Sequence, residues 1–119
     1  MIYSLHLFTV EQPDVRVFLL VFRDGGPWHD LARRSFPGYI ATSVLRNACS
    51  SQWLVIHFWI NEESHTKAQQ LPAMAILEDM AQRLTRESCD LGVFAFPPRV
   101  EADESVFGAF HSMTTRLDG

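Results

Sequence analysis

The stretch Gln52–Ile60, QWLVIHFWI, constrains this chain more than any other segment. Its β-branched and aromatic residues suit a strand, and strand side chains alternate between two faces. Leu54, Ile56, Phe58 and Ile60 make one face purely apolar. Trp53, Val55, His57 and Trp59 make the other, where large rings carry polar atoms. A strand of this kind belongs inside a layered domain, and its neighbours decide which layer covers which face.

Those neighbours follow from local signals. Residues 2–10, IYSLHLFTV, alternate as a first strand, with Tyr3, Leu5 and Leu7 on one side and Ser4, His6 and Phe8 on the other. Asp14 offers an N-cap, and VRVFLLVF at 15–22 is ambiguous by composition between strand and helix. The cap before it and the Asp24-Gly25-Gly26 stop after it predict a broken helix over about 14–36, with Pro27 opening its second piece. Pro37-Gly38 turns the chain into a strand from Tyr39 to Arg46, and residues 47–51 are a short hairpin loop into Gln52–Ile60. Asn61 caps a short helix over 62–70. Pro72 opens a longer one with an apolar stripe at Ala73, Ile76, Leu77, Met80, Ala81 and Leu84. Leu91–Phe96 is a last strand stopped by Pro97-Pro98.

This order, βαββαβ, predicts an α+β, ferredoxin-like domain over 1–98: a four-stranded antiparallel sheet with helices on one face. Residues 99–119 are expected to be an acidic C-terminal tail, in which Val106, Phe107 and Phe110 can form one helical turn. If Leu54, Ile56 and Phe58 pack on the helices, then Ser4, His6, Phe8, His57 and Trp59 lie on an uncovered face. An aromatic face of that extent marks an interface or a cavity wall, and a homodimer closing two sheets together would cover it.

Composition narrows the functional classes. The chain has 119 residues, a net charge of −4, one lysine (Lys67) and no basic cluster beyond the pair Arg33 and Arg34. That argues against nucleic acid and anionic membranes as partners. The longest apolar run, Val17–Phe22, is too short to cross a bilayer. Cys49 and Cys89 have no metal or redox spacing and read as free thiols, which with the lack of a signal-like start gives a cytoplasmic expectation. Nine Phe, three Trp and two Tyr supply either a packed core or an aromatic-lined cavity.

The runs GGPWHDLARRSFPGYIATSVLR, residues 25–46, and WLVIHFWINEES, residues 53–64, resemble the antibiotic biosynthesis monooxygenase-like family of dimeric α+β barrels. The shared features are a broken first helix, a Pro-Gly-aromatic approach to the second strand, and a third strand ending in Trp before a polar helix start. The resemblance spans residues 1 to about 96. It implies a dimeric α+β barrel with a ligand cavity, and, for some members, oxygenation of a polycyclic phenol by O₂ without a cofactor. Other members degrade haem or act as isomerases, so the fold alone does not decide the activity.

On that resemblance Trp59 takes the place of the strand-end Trp that lines the pocket of the quinone-forming members; otherwise it is a barrel-core residue. His57 shares its face and, as a neutral imidazole, suits a base for a phenolic proton, or else a hydrogen-bonded core histidine. His6, Phe8, Trp28 and Tyr39 are the expected substrate-binding residues around them. Trp28 has helix packing as its plain alternative, and His29 surface exposure. Arg46 suits an anionic ligand group or a solvated strand end. No metal motif is present; Glu62, Glu63 and His65 read as a solvated first helical turn. Haem degradation fits poorly, because His6 has no neighbouring asparagine and Gln69 stands where those relatives carry the ligand histidine. The expectation is therefore a cofactor-independent monooxygenase acting on an aromatic or polyketide-like small molecule, with a non-catalytic dimeric barrel binding a small hydrophobic ligand as its alternative.

Overall fold

The Asp24-Gly25-Gly26 break and the Pro37-Gly38 turn each follow the end of a helix in the computed structural model, which describes residues 1–98, and Pro13 lies in the 3₁₀ turn after the first strand. Strand β1 spans Ile2–Thr9. A 3₁₀ turn at Gln12–Asp14 leads into α1, Val15–Phe22, and then α2, Pro27–Ser35. Strands β2, Tyr39–Arg46, and β3, Gln52–Trp59, form a hairpin; α3, Glu62–Gln69, and α4, Pro72–Leu84, follow; β4 is Glu87–Ala95. The strand order is β2-β3-β1-β4 with every pair antiparallel, the ferredoxin-like arrangement expected from the element order.

The ambiguous VRVFLLVF segment is helical because burial outweighs its strand propensity: Phe18, Val21 and Phe22 point together into the core. Asn61 caps α3 through its Oδ1, which accepts the Ser64 N–H at 2.8 Å. At Gly38 the backbone is left-handed, with φ +87°, and its carbonyl accepts the Ile60 N–H at 2.8 Å. This turn docks the end of α2 to the end of β3.

Three expectations are corrected. The stripe of α4 centres on Met74, Leu77 and Ala81, and Ile76, about 100° around the helix from Leu77, is 57% exposed. Strand β4 begins at Glu87 rather than Leu91. Its polar start Glu87-Ser88-Cys89-Asp90 pairs with β1 at the sheet edge, where β4 stays exposed and needs no apolar face. The third correction inverts the sheet. Val55, His57 and Trp59 are buried against the helices together with Ser4 and Phe8, whereas Leu54, Ile56 and Phe58 lie on the uncovered face beside Tyr3, Leu5 and Leu7. Ring polarity was the misleading signal, since the Trp59 indole N–H and the His57 Nδ1 each find a hydroxyl on a neighbouring strand inside the protein.

The core is accordingly aromatic on the helix side. Phe8, Phe18, Phe22, Trp28, Phe36 and Trp59 are all buried, and successive ring contacts run from Trp53 through Phe18 and Phe22 to Trp28. The helical turn expected around Val106, Phe107 and Phe110 lies outside the described residues.

Candidate active site

A cavity of about 320 Å³ lies between the sheet and the helices. Its inner wall is Phe8, Phe22, Trp28, His57 and Trp59; exposed Glu78 and Gln82 of α4 with Ser88 and Asp90 of β4 border it on the outside. The cavity thus sits where helix cover gives way to the β4 edge.

His57 occupies the centre of the inner wall. Its ring lies flat on Trp28, with centroids 4.1 Å apart and planes 4° from parallel, and the His6 ring is 5.6 Å away. Nδ1 is 2.8 Å from Thr42 Oγ1. Among the described residues every buried side-chain nitrogen or oxygen has a partner. Nε2 makes no hydrogen bond to another described residue, so it is the atom through which this ring meets the cavity. Burial holds His57 well below the ordinary imidazole range, and neighbouring His6 and His65 push in the same direction. The ring is a neutral imidazole near pH 7, able to accept a proton from a ligand or donate one to it.

The surrounding residues complete the wall. Trp59 donates its indole N–H to Ser4 Oγ at 3.0 Å, and that bond fixes the edge of the ring deep in the site. Burial also lowers His6, against the pull of Asp90 and Glu78, whose carboxylates favour the charged form. Asp90 faces His6 because β4 is irregular here: Asp90 pairs with His6 and Gly92 with Leu5, leaving Leu91 as the extra residue. Gly92, at φ +98°, permits the bulge and donates its N–H to Asp90 Oδ1 at 2.8 Å.

A second irregularity acts on the opposite flank. Tyr39 pairs with Trp59 and Ala41 with Phe58, so Ile40 is the extra residue on β2. Tyr39 and Thr42 are three positions apart, and in a regular strand they would face opposite ways. The bulge brings both to the helix side, where Tyr39 Oη lies 2.5 Å from Thr42 Oγ1.

The structure therefore brings His6, Phe8, Trp28, His57 and Trp59 together around one cavity, on the helix side rather than the open side of the sheet. Tyr39 does not line it; it stands behind Trp28 and Trp59 and reaches His57 only through Thr42. His29, expected at the surface, is 6% exposed, with Nε2 3.2 Å from the exposed carboxylate of Asp24. Arg46 is exposed and lines a separate groove with Val10, Val15 and Trp53. Gln69 lines the cavity and contacts His65 Nε2 at 3.3 Å. Sequence reading missed Ser4 as the Trp59 partner, Thr42, and the acidic rim; a hydroxyl opposite a buried ring on the adjacent strand is the signal that marks the first two. Among the described residues no group of three or more His, Cys, Asp or Glu side chains is placed to hold a metal ion, and no helix there is long and apolar enough to cross a membrane.

No protein-family model matches the chain. No curated protein matches it significantly either. Solved structures do. A single-site mutant of SnoaB from Streptomyces nogalater, described as a cofactor-independent oxygenase, is 16% identical with a TM-score of 0.64, over 85% of this chain and 97% of that one. The ActVA-Orf6 monooxygenase of Streptomyces coelicolor, solved with the ligand nanaomycin D, is 14% identical with a TM-score of 0.64, over 86% and 92%. A structure described as an antibiotic biosynthesis monooxygenase is 12% identical with a TM-score of 0.55, over 82% and 100%. Across most of its length, this chain has the ferredoxin-like α+β fold of the antibiotic biosynthesis monooxygenase structures.

Proposed function

We propose that the chain is a cofactor-independent monooxygenase that oxygenates a hydroxylated aromatic molecule in the cavity between sheet and helices. The carrying observation is His57: a neutral, desolvated imidazole with Nδ1 engaged and Nε2 open to an aromatic-walled space. Such a group removes a phenolic proton from a ligand stacked against the same wall, and the resulting electron-rich anion is the species that reacts with O₂ directly. Trp59 and Trp28 provide the flat apolar walls, and Phe8 and His6 close the side toward β1. The descriptions of SnoaB and of ActVA-Orf6 with nanaomycin D support this reading.

The test is oxygen uptake by purified protein with a panel of anthrones and hydroquinones and no added metal, flavin or haem. The proposal expects uptake and a quinone product with at least one class. Binding of these compounds without any uptake favours a non-catalytic ligand carrier instead.

We further propose a homodimer as the working form. The uncovered sheet face presents Tyr3, Leu5, Leu7, Leu54, Ile56 and Phe58 in register across β1 and β3, with 51%-exposed Phe94 alongside. The centre of this face is apolar, with polar side chains towards its margins at Ser43, Thr9 and Gln52 and in the Tyr3 hydroxyl, and a second copy of the same sheet is a self-complementary cover. Free, exposed Cys49 and Cys89 fit a reducing compartment such as the cytoplasm.

A further inference from the structure

We infer that Thr42 and Tyr39 form the proton exit of His57, carrying a proton between the buried ring and solvent through two hydroxyls. The inference rests on the proposal that His57 is the base. Its geometric basis is a continuous chain: His57 Nδ1 to Thr42 Oγ1 at 2.8 Å, then Thr42 Oγ1 to Tyr39 Oη at 2.5 Å. The bulge at Ile40 turns these two hydroxyls to the same side and sets the Tyr39 ring against Trp28 and Trp59. Tyr39 is only partly buried, and beyond it His29 contacts the exposed Asp24.

The chain answers a physical difficulty. A base buried between Trp28 and His6 gains a proton only by becoming a buried cation, and desolvation and neighbouring histidines oppose that charge. With the two hydroxyls in place the ring need not carry it. The substrate O–H breaks and its proton bonds to Nε2. The Nδ1 proton passes to Thr42 Oγ1, the Thr42 hydroxyl proton to Tyr39 Oη, and the Tyr39 proton to water. The ring ends neutral, in the other tautomer, beside the substrate anion. After O₂ has added to that anion, the shift runs in reverse: Nε2 gives its proton to the peroxide oxygen, and Nδ1 recovers one from water through Tyr39 and Thr42. No net proton is consumed by the pair of steps. Thr42 and Tyr39 are in this account positioning residues that act through His57.

The test uses the full chain with 1,8-dihydroxy-9-anthrone as probe, mixed without oxygen, and reads the absorption of the probe anion. The variants are Thr42→Val, which keeps the side-chain shape; Tyr39→Phe, which keeps the ring contacts; and Thr42→Ser, which restores the hydroxyl. Wild type is expected to form the bound anion. Thr42→Val and Tyr39→Phe are expected to bind the probe within about twofold of wild type, yet form the anion about 10²-fold more slowly, the usual size of an acid–base contribution. Thr42→Ser is expected to restore the rate. Equal anion formation in wild type and Thr42→Val overturns the exit while leaving His57 as base; binding without an anion in wild type overturns the base itself. A probe-free arm reads the ¹⁵N ring signals of His57. Exchange between two neutral tautomers in wild type, collapsed to one in Thr42→Val, is the expected result. A single tautomer in wild type, unchanged by Thr42→Val, refutes the exit whatever the probe does.

Discussion

His57 lies parallel to Trp28 at 4.1 Å, so protonating this imidazole means placing a cation against a buried indole with no carboxylate in hydrogen-bond contact. The contact itself tolerates a cation, but the lost hydration costs more than a ring face returns in a site this dry.

The pH dependence of stability follows. His57 is lowered in the folded chain by burial first, then by His6 and His65; His6 and His65 are themselves lowered chiefly by burial. The unfolded chain takes up these protons near its ordinary value of about 6.5, while the folded chain resists them. Stability is therefore full above about pH 6.5 and falls as pH drops below it toward the depressed folded values, by up to about 1.4 kcal/mol per pH unit for fully buried His57, with smaller, solvent-screened contributions of the same sign from His6 and His65. Urea denaturation from pH 8 to pH 5 should show this slope, and His57→Gln should flatten it. An unchanged slope in His57→Gln would assign the effect to other groups.

The indole N–H of Trp59 and the hydroxyl of Ser4 are buried and answer each other at 3.0 Å. Ser4→Ala strands the N–H and is expected to cost about 1–3 kcal/mol. Trp59→Phe strands the hydroxyl and also removes ring volume. The double variant should be less destabilised than the sum of the two, because neither orphan then remains. Strict additivity in chemical denaturation would mean that the bond contributes nothing net.

Gly38 and Gly92 both have left-handed backbones but differ in the space around them. A Cβ at Gly38 would meet the Ser64 side chain and lie 2.8 Å from Ile60 Cγ2, whereas at Gly92 the nearest atom is Phe94 Cε2 at 4.0 Å. Gly92→Ala is expected to cost about 1–2 kcal/mol of backbone strain, and Gly38→Ala about 1–3 kcal/mol more through overpacking. The ranking is checked by melting temperature, and its reversal would contradict the docking of the Pro37-Gly38 turn against α3.

Ile56 lies at the centre of the uncovered sheet face, paired with Leu5 on one side and Ser43 on the other. A homodimer closed through this face should scatter light as twice the chain mass, and Ile56→Lys should yield the monomer with the secondary structure retained. A monomeric wild type would mean that something other than a second copy covers the face.

Much of the fold was legible because each break carries its own chemistry. Asp24-Gly25-Gly26, Pro37-Gly38, Asn61 and Pro72 locate element boundaries with little help from tertiary structure, and parity alone groups His57 with Trp59. Which side of the sheet the helices choose was not legible. Parity is blind to it, and the polar ring atoms suggested exposure that Ser4 and Thr42 remove by hydrogen bonding across strands. The bulges at Ile40 and Leu91 were equally hidden, since both depend on pairing between strands distant in sequence. They are what turns Tyr39 and Thr42 to one side and brings Asp90 opposite His6.

The central claim is that His57 is the base of a cofactor-independent oxygenation in this cavity. The most direct measurement is the rate of oxygen uptake by wild type and His57→Ala with whichever anthrone or hydroquinone wild type turns over, each protein first checked for an intact fold. His57→Ala should bind that compound and lose about 10²–10⁴-fold in turnover. Turnover by His57→Ala at the wild-type rate would contradict it.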